Sequence, residues 1–267
     1  MTLCLHHLCV GYGNGAVLRD FSLTTEPGIT VLLGCNGSGK TTLFRTLIGG
    51  ITPSSGTVTI DGEPLFSLST RQRARRIAAM PQVTRFSPGI TALDYAEMGF
   101  YAASGLFFTP GSREHERVRA LARDYQCDAL LDRTMDTLSA GEAQLISLLS
   151  VMVQDTPLIL LDEPTAALDY NRTHRFLQTL TAYSARERKT VLMTLHDPQL
   201  ALTYGDRIVT LRDGSQDAVL DPKRSSLPVI RQALERLYPS IRIFSQNGRY
   251  FVFDDFMNEM DIQHENT

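Results

Sequence analysis

The stretch Gly34 to Thr42, GCNGSGKTT, decides how the rest of the chain is read. It fits the pattern Gly-x4-Gly-Lys-Ser/Thr, in which glycines let backbone amides turn inward around phosphate oxygens. Ahead of it lies an abruptly ended apolar run, ITVLLG (Ile29 to Gly34), and behind it TLFRTLIGG reads as a helix. A phosphate held there faces both the loop amides and the partial positive charge of the helix N-terminus. Lys40 is expected to reach the β- and γ-phosphates of a nucleotide, and Thr41 to offer its hydroxyl to a magnesium ion. Gly34, Asn36, Gly37, Ser38, Gly39 and Thr42 complete the expected phosphate cradle.

Such a loop needs a second magnesium ligand from a neighbouring strand. PLILLDEP, Pro157 to Pro164, supplies one in Asp162 at the end of an apolar run. Glu163 follows directly; a second acid there can orient and polarise an attacking water, which a simple kinase has less need to do. Taken alone, two acids ending a strand are ordinary loop residues. A third apolar run, TVLMTLHD, spans Thr190 to Asp197. Continuous Val, Ile and Leu suit strands of a parallel sheet covered on both faces. The stretch from Thr2 to Gly28 and GTVTIDGEPL, Gly56 to Leu65, are short β-rich runs broken by glycines and read as antiparallel hairpins. Between Thr91 and Val153 the pattern is helical, so a helical insert separates two parts of one core. The fold expected is α/β: a P-loop NTPase core with a parallel sheet, an antiparallel β subdomain, and a helical subdomain over about residues 83–155.

Composition narrows the partners. The chain has 267 residues, the upper edge of a single domain, and a formal net charge of −3, which gives no global reason to expect nucleic acid. LISLLSVMV and PLILL fall short of the roughly 20 apolar residues that cross a bilayer. The first residues, MTLCLHHLCVGYG, carry neither a basic flank nor a cleavage pattern, so a soluble cytosolic chain is expected. Cys4, Cys9, Cys35 and Cys127 form no CxxC pair, which favours reduced thiols. The basic run RQRARR, Arg71 to Arg76, reads as the solvated face of a helix.

LSAGE, Leu138 to Glu142, reads locally as a helix start, with Ser139 as N-cap and Glu142 completing a capping box. It stands in a series: GCNGSGKTT, PQ with Gln82, LSAGE, LILLDEPTAALD and the histidine of TLHDP. In that order, over about Leu3 to Gly214, these motifs resemble those of ABC-type ATPases. The resemblance implies ATP and magnesium as cofactors, with Asp162 on the metal and Glu163 on the hydrolytic water. It implies that Gln82 senses the γ-phosphate and magnesium where the helical subdomain joins, and that His196 is a switch contacting the γ-phosphate. Asp169, in AALD, matches a loop crossing between protomers, and Tyr12, in VGYGNG, an aromatic stacked on adenine. Outside that frame Gln82 and His196 read as structural or solvated residues, and Tyr12 as a turn residue. LSAGE matches the signature helix, whose Ser139, Gly141 and Glu142 lie at an N-terminus facing the γ-phosphate on the other protomer of a head-to-tail homodimer. Two departures stand out: Ala140 where a glycine is usual, and Leu145 and Ser150 where arginines are common.

One cassette without a membrane span implies a separate transmembrane permease, served indirectly by a solute-binding protein, with this chain peripheral on the cytoplasmic face of the inner membrane. ITALDYAEMGFYAASGLFFTPGSREHERV resembles the matching region of ATPases for iron-siderophore, haem and cobalamin import. Phe100, Tyr101, Leu106, Phe107 and Phe108 are equally readable as a permease contact or as core. Against the competing reading, a non-transport ABC ATPase of DNA repair or translation, the sequence shows neither the long coiled coil of the former between Lys40 and Asp162 nor the second cassette usual in the latter. A P-loop kinase is disfavoured by Glu163, His196 and LSAGE together. The ATPase domain is expected over residues 1–221. Residues 222–267 form an appendage with a helix, VIRQALERLY, and a hairpin turning at Asn247-Gly248. It is read either as closing the sheet or as a regulatory module, with DDFMNEMDIQHENT as a mobile acidic end.

Overall fold

The structure is a computed structural model that describes residues 1–13, 15–80, 86–105 and 108–255. The chain begins with a hairpin, β1 (Leu3–Tyr12) and β2 (Gly15–Thr25), and continues into β3 (Gly28–Gly34) and α1 (Lys40–Leu47). β4 (Ser55–Ile60) and β5 (Glu63–Pro64) return to the hairpin, giving an antiparallel sheet in the order β2-β1-β4-β5. A short α2 (Thr70–Ala74), holding part of the basic run, leads to β6 (Ile77–Met80). The helical insert follows as α3 (Ala92–Ser104), α4 (Ser112–Asp124) and α5 (Ala140–Gln154). The chain then re-enters the main sheet through β7 (Leu158–Leu161), α6 (Tyr170–Glu187), β8 (Thr190–Thr194), α7 (Pro198–Tyr204), β9 (Arg207–Arg212) and β10 (Ser215–Leu220).

The main sheet runs β10-β9-β3-β8-β7-β6, parallel except for the β9–β10 hairpin at its edge. Alternate residues of the apolar runs serve two cores, as the period of two in a strand requires. Leu32, Leu160, Leu192 and Val209 face the antiparallel sheet and α1, beside Leu5, Phe21 and Leu43. Val31, Leu33, Ile159, Leu161, Val191 and Met193 face the other way, toward α6, α7 and the helical insert. Burial on both faces is the reason these strands read as unbroken hydrophobic runs.

Within the insert, α3 and α5 approach closely at Gly99, where an added Cβ would lie 2.3 Å from the Ser150 carbonyl oxygen. α3 opens with a capping box between Thr91 and Asp94. Phe108 packs its ring 6.2 Å from that of Phe100 and 6.3 Å from that of Tyr101, all three half-buried, and Phe100 leans on the main core. Leu106 and Phe107 lie outside the described residues.

The last elements are α8 (Leu227–Leu237), β11 (Ile241–Gln246) and β12 (Arg249–Asp254). The hairpin turn at Asn247-Gly248 has φ of 52° and 73°, the left-handed pair that Asn-Gly favours. β11 and β12 form a separate two-stranded sheet, so the appendage does not extend the main sheet as one reading of the sequence expected. Instead α8 buries Ile230, Ala233, Leu234 and Leu237 in the same core as Ile208 of β9 and Leu220 of β10. The sequence DDFMNEMDIQHENT falls outside the described residues from position 256 onward. Because Leu234 is fully buried, Leu234→Ala should cost about 2 to 5 kcal/mol of unfolding free energy, measured by urea denaturation. A loss below about 0.5 kcal/mol, the size of a surface substitution, would mean that α8 is not part of the core.

Candidate active site

The site lies at the carboxyl ends of three adjacent parallel strands, where open α/β sheets place their ligands. β3 ends in the glycine-rich loop, its neighbour β8 runs on to His196, and β7 beyond it runs on to Asp162 and Glu163. In the loop, Gly37 and Gly39 adopt φ of 81° and 104°. At Gly39 the glycine is needed twice, since a Cβ would also meet Leu18 Cδ2 at 2.6 Å. Lys40 begins α1 and is 5% exposed; its Nζ donates to the carbonyl oxygens of Gly34 at 2.7 Å and Cys35 at 3.2 Å. Burial holds this ammonium below the ordinary lysine value, opposed by the charges of Glu163 and Asp162. Ser38 Oγ is buried without a hydrogen-bond partner. A buried cation, an orphaned hydroxyl and a loop of glycines together fit an anionic phosphate. Thr41 is exposed at the mouth of the loop, whereas Thr42 is buried against it.

Thr194, at the end of β8, joins the two acids. Its hydroxyl donates to Asp162 Oδ1 at 2.9 Å and accepts from the Glu163 amide at 2.7 Å. Glu163 has φ of 50°, a left-handed conformation uncommon for a residue with a side chain. The Thr194 bond helps to hold it there. Glu163 Oε1 lies 2.7 Å from His196 Nε2. Glu163, His196, Thr165 and Thr173 line a cavity of about 200 Å³. Among the described residues no cluster of three or more His, Cys, Asp or Glu is arranged to hold a metal.

Tyr12 is half-exposed beside α1, with Arg45 Nη1 donating to its hydroxyl at 3.4 Å. Arg45 first, then Thr42, hold that hydroxyl below the usual tyrosine value. The structure therefore brings Tyr12 to the first turns of the loop's own helix. Gln82 lies outside the described residues.

Ser139, Gly141 and Glu142 are placed elsewhere. Ser139 caps α5, accepting from the Glu142 amide at 3.4 Å, and Glu142 Oε2 accepts from the Ser139 amide at 2.8 Å. That reciprocal bond is the main reason the Glu142 carboxyl sits below its ordinary value. The polar neighbours of this helix start are Arg133 on Glu142, Arg172 on Ser139 and, through Gln144, the carbonyl of Pro164. Asp169 caps α6, its Oδ1 accepting from the Arg172 amide at 2.9 Å.

Sequence reading missed three contributors. Thr194 was unremarkable inside TVLMTLHD; its only signal was its place two residues before His196. Arg172 stands 33 positions from Ser139, on a different helix, so no local pattern pairs them. The third is the appendage itself: Cys35 Sγ lies 3.7 Å from the Leu237 carbonyl oxygen, and the Tyr238 hydroxyl donates to that of His196 at 3.2 Å. Burial pushes the Tyr238 hydroxyl up to about 12.

A glycine-rich loop with a buried lysine, beside two strand-end acids and a histidine, defines a P-loop nucleotide hydrolase. The chain belongs to the ABC transporter family, whose model matches residues 18–166. It is similar to the hemin import ATP-binding protein HmuV of Burkholderia ambifaria, 35% identical over 232 residues covering 80% of this chain and 85% of that protein. It is similar also to the probable siderophore transport system ATP-binding protein YusV of Bacillus subtilis, 32% identical over 207 residues covering 77% and 75%. Among solved structures, an ATP binding subunit of an ABC transporter aligns with a TM-score of 0.74 at 25% identity, covering 90% of this chain and 98% of that one. An inward-facing putative metal-chelate type ABC transporter shares the fold, with a TM-score of 0.77 at 22% identity and coverage of 94% and 95%. The chain is accordingly an ATP-binding cassette and an ATPase.

Thr194→Val removes the hydroxyl at nearly constant volume and leaves the Glu163 amide without its acceptor. Unfolding free energy should fall by about 1 to 3 kcal/mol, read by urea denaturation. An unchanged midpoint would show that Thr194 does not hold Glu163 in place.

Proposed function

We propose that this chain is the ATP-hydrolysing subunit of an importer for iron-siderophore, haem or cobalamin-type substrates. Two copies pair head to tail around two ATP molecules and drive a separate transmembrane permease, supplied indirectly by a solute-binding protein. The similar proteins named for hemin import and siderophore transport support this substrate class. Among the described residues no helix is long and apolar enough to cross a membrane, in keeping with a subunit peripheral to the cytoplasmic face of the inner membrane. Residues 1–221 act as the ATPase domain, and residues 222–267 as an appendage fused to its core.

The observation that carries the reading is the cluster at the three strand ends: Lys40 buried and held by two carbonyl oxygens, and Asp162, Thr194, Glu163 and His196 joined in one chain of contacts. Gly34, Asn36, Gly37, Ser38, Gly39 and Thr42 cradle the phosphates, and Lys40 meets the β- and γ-oxygens. Thr41 and Asp162 hold magnesium, with Gln82 the further ligand that the family resemblance implies. Magnesium, when bound, neutralises phosphate charge. Glu163 orients the attacking water, His196 contacts the γ-phosphate, and Tyr12 stacks on the adenine. Ser139, Gly141 and Glu142 present a helix N-terminus to the partner's nucleotide, with Asp169 on the loop that crosses between protomers. Nothing in the fold favours the DNA-repair or translation alternative.

Glu163→Gln tests the assignment. ATP affinity should be preserved while hydrolysis falls by at least about a hundredfold, within the range for losing a general base. An ATP-bound dimer should then persist on a sizing column. Near-normal turnover would remove Glu163 from its role.

A further inference from the structure

Ser139 is engaged more fully than a helix cap requires. Its oxygen accepts from the Glu142 amide at 3.4 Å and from Arg172 Nη1 at 3.1 Å. A serine hydroxyl has two acceptor lone pairs and one proton to donate. With both lone pairs used, the remaining function is donation, and the proton must point away from both donors. Arg172 is itself held: its amide donates to Asp169 Oδ1 at 2.9 Å, and its Nε lies 3.5 Å from Asp169 Oδ2. Gly141 makes room for it, because a Cβ there would stand 2.7 Å from Arg172 Cδ.

The electrostatics are unusual for a resting helix. A guanidinium beside a helix N-terminus opposes the helix dipole. α5, AGEAQLISLLSVMVQ, contains no lysine or arginine of its own. Of the two cations at its start, Arg133 pairs with Glu142 and Arg172 comes from α6 to Ser139, a placement that favours an incoming anion.

We propose that Arg172 is a positioning residue for Ser139, aiming the serine hydroxyl proton at the γ-phosphate of the partner's nucleotide and linking that donor to Asp169. The inference rests on the reading above that Ser139 serves the partner's site. Asp169, Arg172 and Ser139 then form one hydrogen-bonded relay, so that movement of the loop carrying Asp169 changes the aim of the serine. Arginine suits the task because its charge persists at any working pH and its fork can hold two partners at once.

The test is a double-mutant cycle on ATP turnover. Ser139→Gly is the serine variant, since glycine is tolerated at an N-cap. Arg172→Gln should lower kcat about tenfold, the size of one hydrogen bond to a charged group, with ATP affinity of the dilute single chain unchanged by calorimetry. Arg172→Lys should recover a clear part of that loss. In the Ser139→Gly background, Arg172→Gln should cost nothing further, because its target is gone. Full additivity of the two losses, or an Arg172→Lys no better than Arg172→Gln, would overturn the role of Arg172 while leaving Ser139 at the shared site. Normal turnover in Ser139→Gly would instead overturn the shared-site reading, and the inference with it.

Discussion

The ammonium of Lys40 is buried at the head of α1 and is held by two carbonyl oxygens rather than a carboxylate. A cation in that position is costly unless an anion completes it. Much of the architecture builds this concentration of positive charge: β3 delivers the loop, glycines at Gly37 and Gly39 turn it, and α1 aims its N-terminus into it. The same arrangement suits the proposed nucleotide site, since a phosphate there would satisfy the lysine, the loop amides and the Ser38 hydroxyl together.

The parallel sheet then sets what surrounds the glycine-rich loop. Because β8 and β7 lie beside β3, residues far apart in sequence meet at one edge. Thr194 converts that proximity into geometry by bonding both Asp162 and the amide of Glu163. The strained φ of Glu163 is tolerated where the surrounding bonds determine it. From the other side, the Leu237 carbonyl and the Tyr238 hydroxyl bring the appendage to Cys35 and to the backbone of His196. The C-terminal elements thus touch two of the segments proposed to handle the nucleotide, through a helix packed in the common core.

Much of this was legible in the sequence, for identifiable reasons. Buried parallel strands announce themselves as unbroken apolar runs, and phosphate binding demands glycines at fixed spacing, so β3, β7, β8 and the loop could all be placed. The Asn-Gly turn fixed the final hairpin for a similar reason: the backbone angles restrict the residue types. Partnerships set by tertiary approach were not legible. Nothing near Thr194 signals that it bonds Asp162 and the Glu163 amide beyond the end of another strand, and Arg172 meets Ser139 only because the fold brings the first turn of α6 to the start of α5. The appendage was placed as a helix and hairpin, yet its attachment was not, because burial of α8 depends on the surface that β9 and β10 offer.

The central claim is that each nucleotide is bound by Lys40 of one chain and Ser139 of the other. Mixing two inactive variants tests it most directly. Lys40→Ala lacks the phosphate lysine, and Ser139→Arg blocks the signature serine, so neither alone should hydrolyse ATP. In a mixed dimer one site carries both lesions and the other carries neither. The account predicts that ATP hydrolysis, absent from each variant, returns when the two are mixed. Continued inactivity of a mixture shown by cross-linking to contain mixed dimers would contradict it, placing both residues in the same chain's site.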